Sequence, residues 1–194
     1  MNLANRGNII MSAPAMLTTD STVLVLIDFQ ERLFPVMHDK ERLLRNVLKL
    51  IRGAKVLEIP IVLTEQYPKG LGPTLPEIKE LLPDVKPIEK VCFDCCEEGA
   101  FCESLEFLKR KQVLVAGIEA HICVYQTAMA LSRAGYEVQV VGDCISSRES
   151  ENKLVSLLKM GAAGVSPTTM EMALFELLKV ARGDKFKQIS NIVK

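Results

Sequence analysis

Residues 113–135 read VLVAGIEAHICVYQTAMALSRAG. Val113 to Ala116 is a short apolar run bounded by Gly117, the profile of a buried strand. From Val124 the apolar residues recur at helical period, with Val124, Ala128, Leu131 and Ala134 on one side. Gly135 follows where a helix C-cap belongs. A strand therefore enters, turns at Gly117 and leaves as a helix whose first turn carries Cys123. Backbone N–H groups without helical partners lie behind a sulfur in that position and favour the thiolate. Cys123 is thus a candidate nucleophile. The competing reading is a buried, inert cysteine, because cysteines are often buried.

Upstream, Val23 to Ile27 is a continuous apolar run ending at Asp28. Such a run marks a central parallel strand covered on both faces, with Asp28 at its carboxyl end. Arg42 to Leu57 reads as a helix, Pro60 to Leu63 as a second strand, and Thr64 to Pro76 as a Gly- and Pro-containing loop. Glu77 to Leu82 is a short helix stopped by Pro83. Lys86 to Val91 is a short strand with Lys90 near its end, and Phe101 to Arg110 is a helix. Downstream come a strand at Val138–Val141, a helix at Glu151–Met160, a strand at Ala163–Val165 and a helix at Thr169–Val180. Phe186 to Val193 is a terminal amphipathic piece.

This alternation predicts an α/β fold: an open, mostly parallel sheet with helices on both faces. Sheets of this kind bind ligands beyond the carboxyl ends of their strands. Asp28, Lys90 and Cys123 each occupy such an end, and they come from three different strands. Asp28-Phe29-Gln30-Glu31 has none of the glycines that a dinucleotide pyrophosphate needs, and no P-loop is present.

The chain of 194 residues suits one domain. Residues 1–19 hold one basic residue and no acid until Asp20, and read as a flexible N-terminal segment before a single domain at 20–194. Lys plus Arg is 24 and Asp plus Glu is 24, a balance that argues against a nucleic-acid binder held by phosphate contacts. No stretch approaches the ~20 apolar residues of a membrane span. Six cysteines without a secretory signal point to a reducing compartment, read as cytoplasm, with a mitochondrial presequence the alternative. Four of them cluster as Cys92-x-x-Cys95-Cys96-x5-Cys102, without the second separated pair of a structural zinc site. No metal and no cofactor are expected.

Together these residues resemble the isochorismatase-like, or cysteine hydrolase, superfamily. The resemblance rests on LVLIDFQERL at 24–33, Glu89-Lys90 with Phe93 close behind, VAGIEAHICVYQTA at 115–128, Gly135-Tyr136 and Val141-Gly142-Asp143. TEQYPKGLG at 64–72 and SSRE at 146–149 are similar to the subgroup of isochorismatase domain-containing proteins. The resemblance implies a six-stranded parallel sheet, a homodimer or homotetramer, and a catalytic triad of Asp28, Lys90 and Cys123. It also implies a non-proline cis peptide at Ile118–Glu119, which in the family aims the amides of Glu119 and Cys123 at one oxyanion position.

The chemistry of the residues assigns roles within that triad. Asp28 is the base that takes the Cys123 proton; its alternative is a turn aspartate. Lys90 holds the base by charge; its alternative is a solvated lysine. Gln30, Gln66 and Tyr67 are candidate pocket residues, as are Phe29 and Phe93, although packing is the default for phenylalanine. His121 stands two residues before Cys123, a spacing that points the two apart on a helix. Nicotinamidases of the family bind a metal through an Asp and two His; the loop here carries Glu65, Gln66 and Tyr67 and no histidine.

The expected function is a cofactor-independent cysteine hydrolase of a small amide or related carbon–nitrogen bond, through a thioester. The alternative is a catalytically silent or redox-sensitive binding protein that keeps the fold. The C-terminal Phe186, Ile189, Ile192 and Val193 form an apolar side for a second copy or for the chain's own domain.

Overall fold

The structure, a computed structural model, describes residues 16–194. Its sheet comprises β1 (Thr22–Ile27), β2 (Ile61–Gln66), β3 (Ile88–Lys90), β4 (Gln112–Ile118), β5 (Glu137–Ser146) and β6 (Ser166–Thr168). The strand order is β3-β2-β1-β4-β5-β6, and every ladder is parallel. The order reverses between β1 and β4, so a crevice opens beyond their carboxyl ends.

Apolar residues at positions 23–27 of β1 serve both faces of the sheet. Leu24 and Leu26 enter the core on one side; Val23, Val25 and Ile27 enter the core on the other. The first core is closed by α1 (Lys40–Val56), α3 (Pro76–Leu81), α7 (Met170–Leu178) and α8 (Gly183–Val193). The second is closed by α4 (Gly99–Leu108), α5 (Tyr125–Arg133) and α6 (Ser150–Ala162). A four-residue helix, α2 (Pro68–Leu71), interrupts the connection after β2.

Several boundaries differ from the sequence reading, each for a physical reason. β2 runs on through Thr64, Glu65 and Gln66, which the reading gave to a loop. Those residues pair with β3, and their polar side chains find buried partners. β4 continues past Gly117 to Ile118. A side chain at 117 would lie 2.7 Å from the Ile27 carbonyl oxygen, so the close approach of β1 requires glycine. β5 extends beyond Val141, because its register against β4 shifts between Val140 and Ile145. The displaced segment lets Asp143 accept the Met170 N–H, at 2.7 Å, at the start of α7. β6 lies at Ser166–Thr168, just after the predicted 163–165.

Both ends of the described residues are tied to the domain. The segment expected to be flexible to residue 19 is described from Met16, and Leu17 is already buried with its N–H donating to Glu176 at 2.6 Å. The rest of that segment, with its targeting question, lies outside the described residues. In α8, Ile189 is fully buried and Ile192 and Val193 pack against the core. The apolar side of the C-terminal segment is therefore used within its own domain. No helix among the described residues is long and apolar enough to cross a membrane.

Candidate active site

Asp28 follows β1 directly, in a left-handed conformation at φ 57°. Aspartate tolerates this region better than most residues. The turn leaves its side chain fully buried at the end of the strand. One carboxylate oxygen, Oδ1, accepts the Thr64 hydroxyl at 2.7 Å; the other, Oδ2, accepts the Lys90 ammonium at 2.7 Å.

Lys90 reaches Asp28 from β3, two strands away, across β2. Neighbouring strands lie roughly 4.8 Å apart, so the link spans two such intervals, which a long side chain can cover. Its ammonium also donates to Gln66 Oε1 at 2.7 Å and to the Cys92 carbonyl at 3.3 Å. Three donors therefore meet three acceptors. Burial alone disfavours this ammonium, but Asp28 beside it prevails with help from Cys95 and Cys123, and the Lys90 pKa is raised.

Cys123 comes from the far side of β1. After β4 the Ile118–Glu119 peptide is cis, and a wide turn of π-helical type, Ala120–Val124, leads into α5. Cys123 sits in that turn and is buried apart from 5% of its surface. Burial first, and then the Asp28 charge, push its thiol up, while Lys90 pulls it down by less. This corrects the expectation of a resting thiolate. The cysteine is not at an open helix start, and of the charges around it the Asp28 carboxylate acts on it most. At rest the group is a thiol, held protonated by burial and by that charge.

The remaining candidate residues divide clearly. Gln30 is a brace: its amide donates to the carbonyls of Gln66 and Gly72, at 2.9 and 2.7 Å, and accepts the Gln66 N–H at 2.7 Å. Gln66 is buried, holding Lys90 and donating to the Val91 carbonyl at 2.8 Å. Phe29 lies in the core with no exposed surface. Tyr67 and Phe93 are exposed, and Tyr67 lines a cavity of about 320 Å3 with Lys69, Glu89, Lys90, Val91 and Glu98. A second cavity, about 260 Å3 between α1 and α6, is lined by none of Asp28, Lys90 and Cys123. His121 Nδ1 pairs with Ser147 Oγ at 2.9 Å, away from the cysteine. The Glu119 carboxylate holds the backbone and side chain of Arg148, tying the end of β4 to that of β5.

Two residues escaped the sequence reading. Thr64 was placed in a loop, and Cys95 in an unassigned cysteine cluster. The Cys95 N–H donates to Thr127 Oγ1 at 3.0 Å, one helical turn beyond Cys123. Burial pushes the Cys95 thiol pKa up to about 12. The usable signal was alternation along β2, which sends Thr64 and Gln66 to one side. All six cysteines are free thiols, and no group of three or more His, Cys, Asp or Glu among the described residues is arranged to hold a metal.

A parallel six-stranded sheet with acid, lysine and thiol at three strand ends defines an isochorismatase-type hydrolase fold. Residues 22–172 match the isochorismatase domain model, and the chain belongs to that family. It is 35% identical over 183 residues to isochorismatase domain-containing protein 2 of Danio rerio, covering 94% of this chain and 92% of that protein. Among solved structures it resembles the MAR1 ribonuclease of Caenorhabditis elegans, with 33% identity, TM-score 0.87 and 92% of each chain covered. It also resembles the YcaC gene product of Escherichia coli, described as an octameric hydrolase of unknown specificity, with 25% identity and TM-score 0.88 over 93% of this chain and 91% of that one.

Breaking a buried ion pair on one side leaves an uncompensated charge. Lys90→Met is expected to cost about 3–5 kcal/mol in urea unfolding, and adding Asp28→Asn should recover part of it. The raised Lys90 pKa makes this contribution complete below the ordinary lysine value of 10.5 and lost as pH rises through the raised value. Equal stability of wild type and Lys90→Met at neutral pH would contradict a buried, charged pair.

Proposed function

We propose that this chain hydrolyses a small amide or related carbon–nitrogen bond through a Cys123 thioester, without a cofactor. The observation that carries the reading is a fully buried carboxylate, Asp28, paired with Lys90 at 2.7 Å and acting on the buried thiol of Cys123. Asp28 accepts the thiol proton as sulfur attacks the carbonyl carbon. The amides of Glu119 and Cys123 receive the developing oxyanion; such a donor is typically worth roughly 3 kcal/mol. The carbon–nitrogen bond then breaks and Asp28 returns the proton to the leaving amine. Water attacks the thioester, its proton passes to Asp28, and the acid leaves as the thiol is restored. Lys90 stays charged throughout and keeps Asp28 in register.

A small substrate is favoured by burial: Cys123 has little exposed surface, and the cavity of about 320 Å3 that Lys90 lines suits a compact molecule. A relative of this chain is called a ribonuclease. The balanced charge of this chain does not favour a polyanionic substrate. The same reading places the protein in the reducing cytoplasm, as its free thiols suit.

Self-assembly belongs to the proposal. Leu154, Val155 and Leu158 of α6 are exposed on one helix, an apolar ridge suited to a second copy. Light scattering should give a dimer or tetramer at micromolar concentration; a monomer would end this part of the reading.

The chemistry is tested by an amide library with ammonia or amine release as readout. Wild type should show a mass increase on the Cys123 peptide during turnover, and Cys123→Ser should lose most of its rate. Full activity in Cys123→Ala, with no adduct in wild type, would overturn the thioester.

A further inference from the structure

We propose that Thr64 is a positioning residue: acting through Asp28, its hydroxyl fixes the carboxylate that takes the Cys123 proton. The inference rests on the acid–lysine–thiol reading above and deepens it. Thr64 is fully buried on β2, the strand between those that supply Asp28 and Lys90. Its hydroxyl lies 2.7 Å from Asp28 Oδ1, while Lys90 holds Oδ2 at the same distance. A carboxylate paired with an ammonium carries no proton to give, so the Thr64 hydroxyl is the donor.

The buried Cys95 lies close to the same hydroxyl. Cys95 is held in this place by its own N–H bond to Thr127. The threonine is itself stiff, because a β-branched side chain in a strand has few rotamers.

With both oxygens held, the Asp28 carboxylate cannot turn, so it meets Cys123 in one orientation before any substrate arrives.

The test uses iodoacetamide alkylation of Cys123, followed on its peptide by mass spectrometry. At neutral pH its rate reports how well Asp28 is placed to take the Cys123 proton. Thr64→Val removes the hydroxyl and keeps the shape; the rate should fall about tenfold. Thr64→Ser should restore it. Thr64→Ala is expected to slow alkylation as Thr64→Val does and serves if the valine variant does not fold. An unchanged rate in folded Thr64→Val or Thr64→Ala, with Asp28→Asn strongly slowed, would overturn the role of Thr64. A wild-type rate in Asp28→Asn would instead overturn the assignment of Asp28 as the base.

Discussion

Two opposite charges, Asp28 and Lys90, meet 2.7 Å apart with no exposed side-chain surface. Neither is tolerable alone at that depth, since an unpaired buried ion costs several kcal/mol, roughly 3–5 by the effect of removing one partner. Their positions at the ends of β1 and β3 tie the two strands that flank β2. Everything around the pair serves its polar atoms: Thr64 one carboxylate oxygen, Gln66 and the Cys92 carbonyl the ammonium. Among the described residues, no buried side-chain nitrogen or oxygen lacks a partner. A fully satisfied network of this kind rigidifies the strand ends.

The pair also sets the state of Cys123. A thiol next to a carboxylate and shielded from water holds its proton, even with a lysine nearby. The ammonium is already engaged by Asp28, so its charge is shared rather than aimed at sulfur alone. In the proposed reaction, activation belongs to the moment of attack, when the proton moves to Asp28. This differs from cysteines that rest as thiolates at open helix starts. It also gives the enclosed geometry a purpose, because a neutral thiol is less exposed to oxidation than a thiolate.

How much of this was legible in the sequence depends on how each residue is covered. Val23–Ile27 and Val113–Ala116 were readable because both faces are buried, which forces continuous apolar runs. Asp28, Lys90 and Cys123 stood out as polar or reactive groups at the ends of strands. Thr64, Glu65 and Gln66 did not, because three polar residues in a row imitate a loop. Only their partners, drawn from segments far along the chain, make them strand residues. The turn that holds Cys123 was equally out of reach, since residues 120–124 wind more widely than the regular helix start that periodicity suggests. Tyr67 and Phe93 kept their exposure, while Phe29 went to the core and Gln30 became a brace for the connection after β2.

The central claim is that a buried acid–lysine pair stands beside a protonated thiol. The most direct measurement is a thiolate titration by ultraviolet difference absorbance, wild type minus Cys123→Ser, on the folded protein. The account predicts no thiolate step for Cys123 through neutral pH, with ionisation only above the ordinary thiol value of 9.0. A step well below that value would show a resting thiolate, and would contradict the arrangement in which Asp28 takes the proton during attack.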